Sequence, residues 1–537
     1  MNQIPIVVGV TGHRDIRSQD HHQLKQIVEK ELMKLKEQYP ASPFVMLNSL
    51  AEGADQLCAE VALRLGFKLV VPLPKPLDDY QKDFTGASLE QLNHLCSQVS
   101  DIFVVSDIEG LKGDSSYSYR QAGLYISIHC QLLLALWDET LPVVGGCGAA
   151  ETVEFMMNGS YIPAEGLMFH ATGGAVLKII TPRVKNAILV NAFAVSLLDN
   201  GNVHQILKKI DTFNREADQS ISSPLVPEEI FNRLDPQMQT LHRLYLKADA
   251  LSVFYRDRYL KAMKWLSIIG VLLVLTFLLY DELNSVAMLL LYGVLLLISS
   301  YTLKKAKKAT WHERYLDYRV LAESLRVQFF IGLSGCQYSV YDAFTWSQQS
   351  EVFWVQKAMG GLLALTTCVQ TINQQEVRLH WIDHQLEYHR NKQAEKGKSV
   401  ILNEKIASSV LFWTVILYLL IAGILLYYPL ALEFQVQMPV VSSLLLTGSA
   451  KAITIKGISL ILLGVLSSIS VFLSNYYGKL SLERKASDHQ KMVALYQQAL
   501  EKWNMPEVSY ERVARELARE EIIENGVWLS YSRHNSY

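Results

Sequence analysis

The sequence predicts a Rossmann-like α/β N-terminal domain followed by an all-α membrane domain with four transmembrane helices. Two observations predict this. Through the first 205 residues, short runs rich in Val, Ile and Leu alternate with segments of helical periodicity, the pattern of a parallel sheet covered by helices on both faces. Beyond residue 260, charged residues vanish from four windows, at 265–280, 283–303, 408–432 and 457–477. A chain of 537 residues also exceeds what one ordinary core can organise.

In order, the expected strands are IPIVVGV, PFVMLNSL, KLVVPLP, DIFVVSDI and QLLLALWD, with VLKIITP and AILVNAF as a pair extending the sheet. Helices are expected at 24–38, 54–65, 89–99 and 119–129. Pro224, Pro227 and Pro236 mark the exit linker, and the chain beyond it reads as almost wholly helical. The expected divisions are 1–205 for the α/β domain, 206–260 for a linker and helical connector, and 261–350 for a first transmembrane pair with a cytoplasmic helix. A cytoplasmic helical segment at 351–407 and a second transmembrane pair with C-terminal cytoplasmic helices at 408–537 complete the chain. WHERYLDYRVL and WIDHQLEYHRN, from Trp311 and Trp381, share a Trp-then-Tyr pattern, which leaves duplication of a two-span unit open.

A helix crosses a bilayer with about 20 mostly apolar residues. Three windows are long enough outright; the first is at the short end, and there Lys264 can snorkel toward the headgroups. Arg256, Arg258, Lys261 and Lys264 precede the first window; Lys304, Lys305, Lys307 and Lys308 follow the second; Lys398 and Lys405 precede the third; Lys479, Arg484 and Lys485 follow the fourth. By the positive-inside bias, both termini and residues 304–407 are expected on the cytoplasmic side of a multi-pass protein. Lys451 and Lys456, on the expected outer loop, run against it.

The six cysteines all fall on the side assigned to the cytoplasm, and their spacing fits no zinc site. No basic region followed by an apolar stretch and a cleavage site opens the sequence, so no cleaved signal is expected. A formal net charge of −2 argues against a nucleic-acid partner.

Three loops, each expected just past a strand, are the candidate binding elements. In GVTGHRD, Gly12, His13 and Arg14 set backbone N–H groups and a guanidinium at a strand-to-helix turn, an arrangement suited to anions; an ordinary turn with Arg14 in solvent is the alternative. In SLAEGADQLCAEVALRLG, Gly53 and Ala54 permit close approach of a ligand, and Glu52 and Asp55 are acceptors for ribose hydroxyls; helix capping by Asp55 is the alternative. LLALWDETLPVVGGCGAAETVEF brings Trp137, Asp138, Gly145, Gly146, Gly148 and Glu151. A doubly wound sheet places all three loops on one edge.

Taken together, GVTGHRD, SLAEGADQLCAEVALRLG, VVPLP with YQKDF after it, and LLALWDETLPVVGGCGAAETV resemble the SLOG superfamily, which includes DprA-like and cytokinin-activating LOG proteins. Some of its members hydrolyse nucleotide N-glycosidic bonds, and others sense nucleotides. The enzymatic branch carries a PGGxGTxxE motif; here Gly145-Gly146-Cys147-Gly148-Ala149-Ala150-Glu151 lacks its proline and threonine and sets the glutamate one residue early. In the second half, KADALSVFYRDRYLKAMKWL, YLDYRVLAESLRVQFF, ERKASDHQKMVALYQQAL and IIENGVWLSYSR resemble SLATT-type membrane effectors of prokaryotic antiphage defence, although four spans exceed the usual two.

The resemblance implies an inner-membrane effector that senses an ADP-ribose or cyclic ADP-ribose type second messenger supplied by a separate, TIR-type or related, synthase. It would oligomerise and open a pore or disrupt the membrane, arresting the infected cell, with no catalytic residue and no cofactor beyond the nucleotide ligand. The alternative is a membrane-anchored LOG-like nucleotide N-glycosidase in which Glu151 and Arg14 do chemistry. No window contains an Asp, Glu, Lys, Arg or His, which argues against an ion-coupled transporter. Ser467, Ser470 and Ser474 give the last window a weakly polar face, either for helix packing or for a pore lining. Arg319, Glu323 and Arg326 are spaced to pair along one helix.

Overall fold

Gly9 and Gly12 sit in a strand whose other residues are apolar and β-prone, and that strand is the centre of a seven-stranded sheet. The computed structural model describes residues 3–106, 116–141, 147–159, 174–200, 202–216, 223–344, 349–364, 373–433, 455–480 and 482–534. The strands are β1 Ile6–Gly12, β2 Phe44–Leu47, β3 Lys68–Leu73, β4 Asp101–Val104, β5 Leu132–Trp137, β6 Ala175–Ile180 and β7 Val195–Asp199, in the order β4-β3-β2-β1-β5-β6-β7. All pairs are parallel except β6 with β7.

The order reverses at β1. From there the chain moves outward through β2, β3 and β4, then returns to the other side of β1 as β5. That makes the β1/β5 boundary the switch point of a doubly wound sheet, where such folds open a crevice beyond the carboxyl ends of the strands. The first five expected strands and the four expected helices of the α/β part are present, with boundaries shifted by a few residues. VLKIITP forms β6. AILVNAF does not form a strand: residues 187–194 make the turn of a hairpin in which Asn191 and Phe193 take positive φ, and the seventh strand begins at Val195.

The sheet core is the run Val7, Val45, Leu47, Val70, Leu133, Ala135 and Val176, closed by Ile126, Cys130, Val153 and Met156 from the helices Tyr117–His129 and Ala149–Asn158. Ala364 belongs to the same cluster. Its helix, Gln349–Leu363, lies some 220 residues downstream of β5 and seats on the sheet through specific bonds. The Gln131 amide accepts from Val7 N at 2.6 Å and donates to Lys357 O at 2.7 Å, and His129 Nδ1 lies 2.8 Å from Gly360 O.

Compactness divides the chain into two units. The first holds Met1–Ala250, Asp317–Val377 and Ser509–Ser530; the second holds Leu251–Leu316, Arg378–Val508 and Tyr531–Tyr537. The units therefore do not follow the order of the chain: residues 317–377 and 509–530 belong to the unit that holds the sheet. Within the first unit, Arg326 bonds Glu323 at 2.7 Å along its own helix, Trp311–Leu333, and Glu521 at 3.0 Å from the helix Tyr510–His534. Arg319 pairs with Glu323 and, at 3.1 Å, with Asp249.

Among the described residues, three helices are long and apolar enough to cross a membrane, not four. They lie within Pro236–Leu283, Val286–Leu333 and Gln374–Gly423. The fourth window falls in the helix Ile455–Leu480, within which the described apolar stretch is Gly457–Leu473. In the second and third windows no residue is buried, and Leu290, Leu297, Phe412 and Trp413 stand exposed. That much bare apolar surface is stable in lipid and not in water. In the second unit, Phe472 seats against Gly270 and Leu278 against Gly464, where an added Cβ would come within 2.5 Å of the neighbouring ring or methyl. Ser468 donates back to Gly464 O at 2.7 Å. Small residues here bring helices together, as in membrane packing generally. Lys451 and Cys368 lie outside the described residues.

Candidate functional site

A cleft of about 650 Å³ opens at the switch point, over the carboxyl ends of β1, β2 and β3 and against the helix that follows β5. Its floor is the turn after β1. Gly12 is needed there because a Cβ would lie 2.3 Å from Ala54 Cβ and 2.9 Å from Leu136 O. Gly53, at φ +82°, faces the same turn; a Cβ on it would stand 2.4 Å from Arg14 O and 2.6 Å from His13 O. Ala54 N then donates to His13 O at 3.1 Å, and His13 N to Leu136 O at 3.2 Å. Gly12, Gly53 and Ala54 thus fix the backbone of the cleft.

The loop after β2 is held by Asn48. Its side chain accepts from Leu50 N at 2.7 Å and donates to Asp55 O at 2.8 Å, while Ser49 Oγ donates to Pro72 O at 2.8 Å. Leu50 is buried with φ +57°, a conformation costly for a bulky side chain and maintained by these bonds. The result is to drive Asp55 into the cleft wall at the start of the helix Ala54–Arg64. Burial pushes the Asp55 carboxyl up to about 7, against the opposing effects of a bond from Ala51 N and the Arg14 charge.

His13 and Asp138 close the switch point from its two sides. Asp138 Oδ1 is 2.7 Å from His13 Nε2, and Asp138 N is 3.1 Å from the same nitrogen. Burial opposes ionisation of Asp138, but bonds from Thr140, His13 and Asn186 and the charge of His13 outweigh it and hold the carboxyl below its ordinary value. A protonated Nε2 donates to Asp138 Oδ1, and a bare Nε2 accepts from Asp138 N, so the two bonds belong to alternative tautomers and Asp138 holds the ring in both. Burial lowers the His13 pKa, the attraction of Asp138 only partly offsetting it and Arg183 adding to it. His13 is therefore a neutral, committed partner of Asp138 and not a cation offered to a ligand.

The cationic groups of the cleft are Arg14, Arg183 and Lys185. Arg183 is used internally: its Nε donates to Asp15 at 2.9 and 3.2 Å, and its Nη1 lies 3.8 Å from Asp138 Oδ2. Arg14 is exposed, with its guanidinium 5.6 Å from the Tyr119 ring centroid, a ring that Lys75 also approaches at 5.5 Å. Neither Arg14 nor Lys185 makes an ion pair among the described residues. Of the charged residues that line the cleft, three are cationic (Arg14, Arg183 and Lys185) and two carry carboxyls (Asp15 and Asp55), with Asp138 behind them.

Cys147, Gly148, Ala149 and Thr152 bring the N-terminal turn of Ala149–Asn158 to the cleft. Glu151 serves that helix: it is buried and accepts from Gly148 N at 2.9 Å. Glu52 is exposed and outside the cleft lining. Trp137 donates from Nε1 to its own loop at Thr140 O, 3.1 Å away. Gly145 and Gly146 lie outside the described residues. Of the thirteen residues singled out in the sequence, Gly12, His13, Arg14, Asp55 and Gly148 line the cleft, and Gly53, Ala54, Asp138 and Glu151 build it from behind. Sequence reasoning missed Asn48, Tyr80, Tyr119, Thr152, Arg183 and Lys185. Arg183 and Lys185 carried the one usable signal, cations directly after the strand-like VLKIITP.

Compared with known proteins, the chain matches no family model, and no curated protein is significantly similar to it.

Proposed function

We propose that the chain is a membrane-attached sensor of a phosphate-bearing nucleotide, of ADP-ribose or cyclic ADP-ribose type, and that occupancy of the switch-point cleft controls its membrane helices. One observation carries the reading: a roomy cleft lined by Arg14, Arg183 and Lys185, bounded by a helix N-terminus and by a Tyr119 ring that already stacks with cations. Arg14, Lys185 and the turn at Gly148 are suited to phosphate oxygens, and Tyr119, backed by the buried Tyr80, offers a ring to a base. The chain passes from the first unit to the second within the helix Pro236–Leu283. Ligand would act by binding one arrangement more tightly than another. The protein would then sit in the inner membrane with both termini cytoplasmic and respond by oligomerising and opening a pore or breaching the bilayer, in partnership with an enzyme that makes the messenger.

A second reading is favoured by Asp55, whose carboxyl near 7 is suited to general acid–base work. It is a membrane-anchored nucleotide N-glycosidase. Its earlier candidate catalyst, Glu151, is engaged by Gly148 N, so Asp55 would have to carry the proton.

The test uses full-length protein in nanodiscs and liposomes with ADP-ribose, cyclic ADP-ribose and NAD. The sensor reading expects binding without turnover, a ligand-dependent efflux of trapped dye, and loss of both in Arg14→Ala. Release of free base that Asp55→Asn abolishes supports the glycosidase and overturns the sensor. Efflux unchanged by every ligand overturns the coupling.

A further inference from the structure

The hairpin that closes the sheet carries an apolar surface that stands exposed among the described residues. In its turn, Ile188, Val190 and Val184 are 94%, 86% and 66% exposed, and on β7 Leu197 and Val195 are 50% and 38% exposed. Leu198 alternates with these two and packs on the sheet core, so Val195 and Leu197 face the opposite way. Together the five residues bare roughly 500 Å² of apolar surface, at the upper end of what a soluble monomer shows and a fitting core for an interface of about 800 Å² per partner.

The backbone agrees with the side chains. Among the described residues, β7 is the terminal strand of the sheet, with β6 on one side only. Edge strands are ordinarily protected by lysine, proline or a bulge. Val195–Asp199 reads Val-Ser-Leu-Leu-Asp and has no lysine or proline. Its one charge, Asp199, is bound inward, accepting from Val203 N at 3.1 and 3.0 Å at the start of the helix Val203–Arg215.

We infer that this hairpin is a homotypic interface: β7 pairs antiparallel with β7 of a second copy of the chain, with Ile188 and Val190 packed across the two-fold axis. A second copy is the occupant that fits because an antiparallel pair of identical edge strands is self-complementary by symmetry. Such pairing also satisfies the free edge and buries the apolar patch in one step. The two sheets would become one continuous sheet of fourteen strands, twice the seven of one chain. The hairpin begins at Arg183 and Lys185, which line the ligand cleft, so assembly would brace one wall of each cleft.

The test incorporates the photocrosslinking residue p-benzoylphenylalanine at Val190 of the full-length chain in nanodiscs, with no nucleotide added, so its outcome is independent of what the cleft binds. The expected result is a light-dependent adduct at twice the chain mass. The added pair Ile188→Lys and Leu197→Lys should lower its yield at least tenfold at an unchanged melting temperature. The same probe at Met33, exposed on the helix His21–Gln38, should give no such adduct. Monomer alone, an adduct to a different protein, or a dimer adduct indifferent to the two lysines would overturn the inference.

Discussion

Replacing Asp55 by Asn should stabilise the folded protein most at alkaline pH, with a gain that shrinks as pH falls toward 3.8. In the unfolded chain this carboxyl ionises near 3.8; in the cleft wall burial raises it to about 7. Between those values the folded state keeps a proton that the unfolded state has released, so stability falls as pH rises through the window. About three pH units at 1.36 kcal/mol each give an upper figure of ~4 kcal/mol above pH 7. Relaxation of the surroundings around an ionised carboxylate brings the expected gain from Asp55→Asn to about 2 kcal/mol, or roughly 3 °C in a unit of this size. Asn keeps the acceptor for Ala51 N. The measurement is thermal unfolding of parent and variant in nanodiscs at pH 5 and pH 8. His13, lowered by burial, and His129, pushed down to about 4 by burial against a bond to Gly360 O, work in the opposite sense. They withdraw stability as pH falls below 6.5, so the parent curve mixes both signs and only the difference between the proteins isolates Asp55. Equal differences at the two pH values would refute the assignment of a neutral buried carboxyl.

Three further outcomes follow from the same geometry. Asp138→Ala removes the acceptor of His13, Thr140 and Asn186 and should cost about 2–4 kcal/mol in chemical denaturation; a loss under 0.5 kcal/mol would contradict the His13–Asp138 latch. Gly53→Ala forces a side chain into positive φ against two carbonyl oxygens. It should destabilise by at least ~2 kcal/mol and weaken nucleotide binding in calorimetry through displacement of the His13–Arg14 turn. Gln131→Leu strands Val7 N and Lys357 O at a cost of about 2–4 kcal/mol. It should also raise hydrogen exchange in the helix Gln349–Leu363, and an unchanged exchange pattern there would refute the docking of that helix on the sheet.

The strands that continuous apolar runs announced are there because a parallel sheet covered on both faces leaves no room for a polar alternate position. The exception shows the limit of that logic. AILVNAF has the composition of a strand, yet Asn191 and Phe193 take left-handed backbone and turn the chain, and the true edge strand is the less regular VSLLD. Hairpin register depends on turn conformation, which composition records poorly. The membrane windows were legible for a simpler reason: length and apolarity suffice to fill a bilayer. The last of them lies inside the helix Ile455–Leu480, of which Gly457–Leu473 is the described apolar part.

By itself, the sequence determined the α/β class, the loops that meet at the sheet edge and the apolar helices, because each is a local pattern of side-chain spacing. Tertiary structure alone decided the rest. It paired His13 with Asp138 across 125 residues and took Glu151 into a helix cap. It also brought Arg183 to the cleft beside Arg14 and laid the helix Gln349–Leu363 against a sheet whose first strand begins at Ile6. The physical reason is that burial and hydrogen-bond partnership, which set whether an imidazole is a cation or a carboxyl holds a proton, are properties of the surroundings of a residue and not of its neighbours in the chain.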